Sequence, residues 1–245
     1  RLIHSTNEIL INSYSNELDA AELVEKAEKA IFAISQDQVK KDFKRLSSIT
    51  PEVIEKLEER YQNQQSVTGV PSGFTDLDRM TSGFQPSDLI IVAGRPAMGK
   101  TSLAMNMACN AASEGRKVGI FSLEMSSIQL VARMISSDAE VNSHRIRQGD
   151  LSQEDWARVS NSSKRLFDFP LFIDDTPGVS VVEMRSKCRR LKAEHGLDMV
   201  IIDYLQLMSG CSFGNRGGRY ENRQNEISAI SRSLKIMAKE LETPV

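Results

Sequence analysis

The chain has 245 residues, with 31 Lys and Arg against 33 Asp and Glu, for a formal net charge of −2. Hydrophobic residues form 40% and charged residues 26%, which excludes collagen-like, low-complexity and wholly disordered chains. The near-zero charge also excludes a basic surface over the whole molecule, so any contact with nucleic acid is expected to be local.

The cysteines and the apolar runs indicate the cellular setting. Cys109, Cys188 and Cys211 form no CxxC pair, which favours a reducing compartment, and we predict a cytoplasmic protein. No apolar run approaches the roughly 20 residues that span a bilayer, so no membrane association is expected. The start has no Met or signal peptide, and residues 242–245 stop where a strand could begin. Both ends are therefore interpreted as cut from a longer chain.

Residues 1–67 are polar, helix-prone and without glycine. Apolar residues recur at helical spacing over residues 18–34, and because an isolated helix of this length is marginal in water, we expect it to pack on this domain or on another subunit. Thr50 and Pro51 predict the N-cap and first residue of a second helix, which ends near Tyr61. The polar tract 62–66 indicates a linker, so we predict a boundary between residues 1–67 and 68–245.

Residues 68–245 alternate strand and helix patterns, which predicts an α/β fold with a mostly parallel sheet flanked by helices. The predicted strands are residues 89–93, 118–123, 171–173 and 199–202. The predicted helices are residues 100–113, 127–137, 152–166, 180–195 and 226–241.

A phosphate-binding loop is predicted where the first of these strands meets the first helix. Residues 94–101 match the pattern GxxxxGK[ST] in full, and this pattern curls backbone N–H groups around phosphates at a helix N-terminus. Lys100 is predicted to contact the β- and γ-phosphates of ATP or another NTP, and the Thr101 hydroxyl to bind Mg²⁺. The predicted nucleotide-binding residues are Gly94, Arg95, Pro96, Ala97, Met98, Gly99, Lys100, Thr101 and Ser102.

Two carboxylates are expected at the same edge of the sheet, because ligands of open α/β sheets bind at the carboxyl ends of the strands. Asp203 ends an apolar strand and is predicted to bind Mg²⁺, through water. Glu124 follows the strand after the phosphate loop and is the candidate general base; the alternative is a capping carboxylate for the next helix. Asp174 and Asp175 also end a strand, but a turn follows directly, so a structural role is favoured.

Several segments together resemble the bacterial replicative DNA helicases of the DnaB type. The matching segments are Gly69-Val70-Pro71-Ser72-Gly73-Phe74 with Leu77-Asp78, residues 94–101, Phe121-Ser122-Leu123-Glu124-Met125-Ser126, Ile173-Asp174-Asp175-Thr176-Pro177, Lys187-Cys188-Arg189-Arg190-Leu191, Ile202-Asp203-Tyr204-Leu205-Gln206-Leu207, Glu221-Asn222-Arg223-Gln224 and residues 230–235. They occur in the family's order over residues 68–245. Residues 1–67 are similar to that family's linker, whose helix docks on the next subunit.

The resemblance implies a RecA-like motor domain from a ring-shaped homo-hexamer that encircles single-stranded DNA and unwinds duplex DNA in the 5′–3′ direction. It implies Lys100, Thr101, Glu124 and Asp203 as site residues, ATP and Mg²⁺ as ligands, and primase and a helicase loader as partners. The family's arginine finger, γ-phosphate-sensing Gln and main DNA loop would follow Val245. We therefore expect this chain alone to bind nucleotide and to hydrolyse it slowly.

DNA contacts are predicted in the loop after Asp203. Residues 209–220 are rich in glycine, so Arg216 and Arg219, with Arg223 beyond them, are candidate phosphate contacts in a pore loop; the alternative is a flexible solvated loop. Five cations also lie between residues 185 and 192, and their helix has a separate apolar stripe, so we interpret them as a solvated face.

Two other functions stay open from the sequence. A RecA-like ATPase of the DNA-repair or clock type has the same motor, although the four-cysteine zinc ribbon common in the repair type does not occur in this span. A truncated interaction fragment without catalysis is the other alternative.

Overall fold

The computed structural model describes residues 45–63, 67–95, 97–205 and 223–245, together with Thr6, Ile9, Leu10, Ser13 and Phe43. The chain divides into two compact units, Arg1–Gln64 and Gln65–Val245. Within the described ranges, no helix is both long enough and apolar enough to cross a membrane.

In the first unit, helix α1 covers Leu46–Asn63. It starts five residues before Pro51, the predicted first helical residue, so the interpretation of Thr50 as an N-cap is wrong. The Thr50 hydroxyl donates to the Leu46 carbonyl at 2.9 Å, which places it inside the first turns rather than before them. Pro51 is tolerated there at the loss of one backbone hydrogen bond. The predicted docking helix at 18–34 lies outside the described residues.

The second unit alternates helices and strands as predicted. Its elements are α2 (Thr75–Thr81), α3 (Lys100–Ser113), β1 (Val118–Ser122), α4 (Ser127–Asp138), α5 (Ser143–Gln148), α6 (Gln153–Phe167), β2 (Leu171–Asp174), α7 (Val181–Glu194), β3 (Met199–Asp203) and α8 (Arg223–Leu241).

The described strands form a parallel sheet in the order β2-β1-β3. Alternate residues of each strand point to opposite faces, and each face has its own apolar core. On one face Phe121 and Val200 pack with residues of α7 and α8. On the other face Ile120 and Met199 pack with residues of α3 and α4. The predicted α/β architecture, a parallel sheet covered by helices, is therefore confirmed.

The segment 89–93, predicted as a strand, is not assigned as one. The Ile90 N–H donates to the Val245 carbonyl at 2.8 Å, and the Val245 N–H donates to the Asp88 carbonyl at 2.9 Å. These bonds lie at the start of the segment, whereas Ile91 and Val92 are 67% and 44% exposed. The prediction is wrong beyond Ile90 because an apolar run becomes a strand only where a neighbouring strand pairs with it.

The cations of α7 are predicted to form a solvated face, and the structure corrects this in part: Arg190 and Lys192 are exposed, whereas Arg185, Lys187 and Arg189 are half-buried. Arg185 and Arg189 pair with Glu240 on α8, and Lys187 lies 2.8 Å from Asp174. The Lys192 ammonium donates to the carbonyl at the end of α8. Glu240 and the end of α8 are distant in sequence, so the local pattern of α7 could not indicate them; the pair of Lys187 with Glu183 at 3.0 Å is local to the helix.

The turn that precedes α2 is organised by one buried carboxylate. The N–H groups of Ser72 and Gly73 donate to Asp78 at 2.8 and 3.0 Å, and the Asn110 amide donates to the Ser72 carbonyl at 3.0 Å. Gly73 has a φ of +77°, and an added Cβ would lie 2.3 Å from Asn110. The turn thus requires glycine at this position and fastens α2 to α3.

Candidate nucleotide site

The loop before α3 has the backbone curvature of a phosphate cradle. Ala97 and Gly99 have positive φ angles of 63° and 86°, and the Met98 N–H donates to the Arg95 carbonyl at 3.3 Å. An added Cβ on Gly94 would lie 3.4 Å from the Lys100 side chain, so the loop folds back on the start of the helix. The loop and Ser102 face solvent, and Lys100 and Thr101 are half-buried. Pro96 is outside the described residues.

The first turn of α3 presents its N–H groups to this loop. The N-cap is Gly99, which has no side chain to accept from those groups. An anion placed there meets free N–H donors and the positive end of the helix dipole. Lys100 and Thr101 begin the helix, so their side chains start at the same point.

Lys100 is also close to the end of β3. Its ammonium lies 5.7 Å from the centroid of the Tyr204 ring, within the range of a cation–π interaction. Within the described residues the ammonium has no carboxylate partner, so its charge is not already neutralised. Tyr204 follows Asp203 directly, which brings Lys100 and Asp203 to one edge of the sheet.

Asp203 is buried, with 7% of its surface exposed. Its Oδ2 atom has no hydrogen-bond partner among the described residues. A buried carboxylate oxygen without a donor is costly in free energy. A divalent cation would satisfy it, because Mg²⁺ prefers carboxylate, hydroxyl and water oxygens. The donor set of Asp203 and Thr101 therefore fits Mg²⁺.

Glu124 lies at the same edge, one strand away. Ser122 pairs with Asp203 in the β1–β3 register, and the Leu123 N–H donates to the Asp203 carbonyl at 2.7 Å. Glu124 follows at once and is exposed. It does not cap α4, because Ser126 does so: Ser126 and Gln129 exchange hydrogen bonds in a capping box. The Glu124 carboxylate is thus left open to a ligand.

The structure therefore brings Lys100, Glu124 and Asp203 to one sheet edge, with the phosphate loop beside them. The candidate DNA contacts are not among them. Arg216 and Arg219 lie outside the described residues, and Arg223 begins α8 with no described side-chain position.

Sequence reasoning missed two features of the site. Tyr204 is part of a recognised motif, but no local pattern indicates its contact with Lys100. Asp175 is interpreted from sequence as structural, which agrees with the hydrogen bond that its carboxylate accepts from the Ser127 N–H at 2.8 Å; the sequence does not indicate this partner, which lies directly after the Glu124 loop. This bond lowers the pKa of Asp175. In the sequence, the only sign of this contact is the pair of carboxylates at the end of a strand, a pattern that is also common in turns.

Comparison with known proteins gives one consistent family. The profile of the DnaB-like helicase C terminal domain matches residues 69–245. The chain is 45% identical over 246 residues to the replicative DNA helicase DnaB of Geobacillus stearothermophilus. This match spans 100% of the chain and 53% of that protein. It is 43% identical to the replicative DNA helicase DnaC of Bacillus subtilis (strain 168), again with 100% and 53% covered. The chain thus spans about half the length of these relatives.

Solved structures agree with the sequence comparison. One solved ATPase domain has a TM-score of 0.73 and 36% identity, over 80% of this chain and 69% of that one. A DnaB-like replicative helicase, solved in a study of its interactions with primase, has a TM-score of 0.71 and 31% identity. The match covers 100% of this chain and 56% of that one. The RecA-like fold and the resemblance drawn from the sequence motifs are both confirmed.

Proposed function

Since this chain belongs to the DnaB-like helicase family, we propose that it is the motor part of a replicative helicase that unwinds duplex DNA with energy from ATP hydrolysis. The observation that carries the proposal is the unsatisfied, buried Asp203 Oδ2 at the sheet edge that Lys100 and Glu124 share. A buried carboxylate without a donor is a poor structural element and a good ligand for Mg²⁺.

We propose that the loop 94–102 binds the phosphates of ATP. The N–H groups around Gly99 and the Lys100 ammonium supply the donors and the positive charge that the β- and γ-phosphates need. Thr101 and Asp203 would hold Mg²⁺, which neutralises part of the phosphate charge when bound. The exposed position of the loop supports this assignment, since the ligand needs access.

Glu124 is proposed to act as the general base. Its carboxylate accepts a proton from a water molecule, whose oxygen attacks the γ-phosphorus, and the bond to the β,γ-bridging oxygen breaks to leave ADP and phosphate. The open carboxylate and the fixed loop ends support this role.

The assembly is proposed from family membership. We propose a homo-hexamer in the cytoplasm that moves 5′–3′ on single-stranded DNA and binds primase and a helicase loader. Arg216, Arg219 and Arg223 are the candidate DNA contacts. Exposed apolar side chains on α4 and α6, such as Ile128 at 80% and Trp156 at 61%, offer a surface for the apolar stripe of residues 18–34 from a second copy.

The experiment is ATP hydrolysis and unwinding of a forked duplex by the full-length protein, with and without single-stranded DNA. The proposal predicts Mg²⁺-dependent hydrolysis that DNA stimulates, and ATP-dependent strand separation. Hydrolysis without unwinding would favour a RecA-like ATPase of another process. ATP binding without hydrolysis, also in the presence of DNA, would favour the interaction fragment.

A further inference from the structure

The loop that carries Glu124 is short and is fixed from both sides. On the β3 side, the Leu123 N–H donates to the Asp203 carbonyl at 2.7 Å. Within the loop, the Ser122 hydroxyl donates to the Met125 carbonyl at 2.6 Å and accepts from the Met125 N–H at 3.3 Å. These bonds hold the backbone on either side of Glu124, although its side chain faces solvent.

The opposite side of the loop is held from β2. This strand pairs with β1 so that Phe121 lies opposite Asp174. The next residue, Asp175, reaches past the end of β1, and its Oδ2 atom accepts from the Ser127 N–H at 2.8 Å. Ser127 is the first residue of α4, so this contact fixes the point where the Glu124 loop enters the helix.

Asp174, which ends β2, and Asp175, which follows it, have different hydrogen-bond partners. Partial burial opposes ionisation of Asp174, but the Lys187 ammonium and the Thr176 N–H outweigh it and lower its pKa. Both of its oxygens face β2's own turn and α7. Asp175 instead contacts α4, across the sheet edge. The capping box of Ser126 and Gln129 satisfies the N–H groups of those two residues, and Asp175 is the partner of the Ser127 N–H between them.

We propose that Asp175 is a positioning residue for Glu124: by binding the Ser127 N–H it sets where the Glu124 loop sits relative to Asp203. The inference rests on the proposed role of Glu124 as general base. The three adjacent strands then act together, because β1 carries the loop while β3 and β2 hold its two ends. A displacement of about 1 Å at a reacting group can cost roughly 100-fold in rate.

The test compares kcat, KM and ATP affinity for D175A, D175N and S127P. D175A removes the acceptor, and we expect kcat to fall about 10- to 100-fold with KM and ATP affinity nearly unchanged. D175N keeps an acceptor oxygen and should restore most of kcat. S127P removes the donor, while proline is favourable at the first helical position and the extended Ser126 backbone accommodates it. It should lower kcat as D175A does without lowering Tm.

S180A is the matched control, because Ser180 accepts from the Glu183 N–H at the start of α7, away from the Glu124 loop. It should lower Tm and leave kcat unchanged. The inference is overturned if D175A and S127P retain the kcat of the wild type, or if D175N is as slow as D175A. E124Q is measured in parallel: wild-type turnover in E124Q would overturn the base assignment itself, which separates that failure from a failure of Asp175.

Discussion

The Lys100 ammonium lies 5.7 Å from the centroid of the Tyr204 ring, which joins the first residue of α3 to the residue after β3. The ring attracts the charge without neutralising it. Lys100 is thus held beside the loop 94–101 and has no carboxylate partner among the described residues. This contact links the loop to the Asp203 edge of the site.

The first prediction concerns phosphate binding by Lys100. Lys100→Ala should weaken ATP affinity by about 10- to 100-fold, because each charge-assisted hydrogen bond to phosphate contributes roughly 1.5–3 kcal/mol. Titration with a fluorescent ATP analogue measures the change. Lys164→Ala, on the exposed side of α6, is the control and should bind ATP as the wild type does. Equal affinities of the Lys100 and Lys164 variants would refute the assignment.

The second prediction concerns the buried carboxylate of Asp203. Asp203→Asn should abolish the Mg²⁺ dependence of ATP binding, since the amide carries no charge for the cation. It should also raise the Tm of the ligand-free protein by a few degrees, at about 2–4 °C per kcal/mol, because a buried amide without a partner costs less free energy than a buried carboxylate oxygen without one. Calorimetry with and without Mg²⁺-ATP measures both effects. A lower Tm with intact Mg²⁺ dependence would mean that Asp203 is structural.

The third prediction uses Asp155, a buried carboxylate with partners. The Ser152 hydroxyl and N–H, together with Arg158 and Arg145, lower the pKa of Asp155 from 3.8 to about 2. The ionised form is therefore stabilised by folding, and its contribution is present above the unfolded pKa and disappears as the pH falls through the folded one. Asp155→Asn should lower Tm at pH 7, and this deficit should shrink between about pH 4 and pH 2.

Thermal unfolding across this pH range tests Asp155 and serves as the control for Asp203. The two substitutions are chemically identical, so opposite effects on Tm at pH 7 would follow only from the partners of each carboxylate. A Tm deficit of Asp155→Asn that is constant with pH would contradict the ion-pair network of Arg145 and Arg158.

The local parts of the fold and site are predictable from sequence. The curvature of the loop 94–101 can be predicted because its pattern, its glycines and the start of α3 lie within a few residues of each other. The predicted starts of α3, α4, α6 and α7 agree with the structure to within one residue, since helix caps depend on neighbours in sequence. The start of α1 is an exception, because the Thr50 hydroxyl bonds inside the helix.

The parts that sequence does not predict depend on distant residues. The strand expected at 89–93 depends on Val245 for its pairing. Arg185 and Arg189 of α7 pair with Glu240, about 50 residues later in the chain. Asp175 accepts from Ser127, which lies 48 residues earlier. The sequence shows which side chains carry charge, but the fold determines which of them form ion pairs or hydrogen bonds with each other.

The most direct test of the whole account is Glu124→Gln, which keeps the size of the side chain and removes its basicity. We expect ATP affinity to stay within a few-fold of the wild type while hydrolysis falls by about 10²–10⁴-fold. Glu114→Gln, at the exposed far end of α3, controls for the loss of one charge and should hydrolyse ATP normally. Hydrolysis by Glu124→Gln at the wild-type rate would contradict the account.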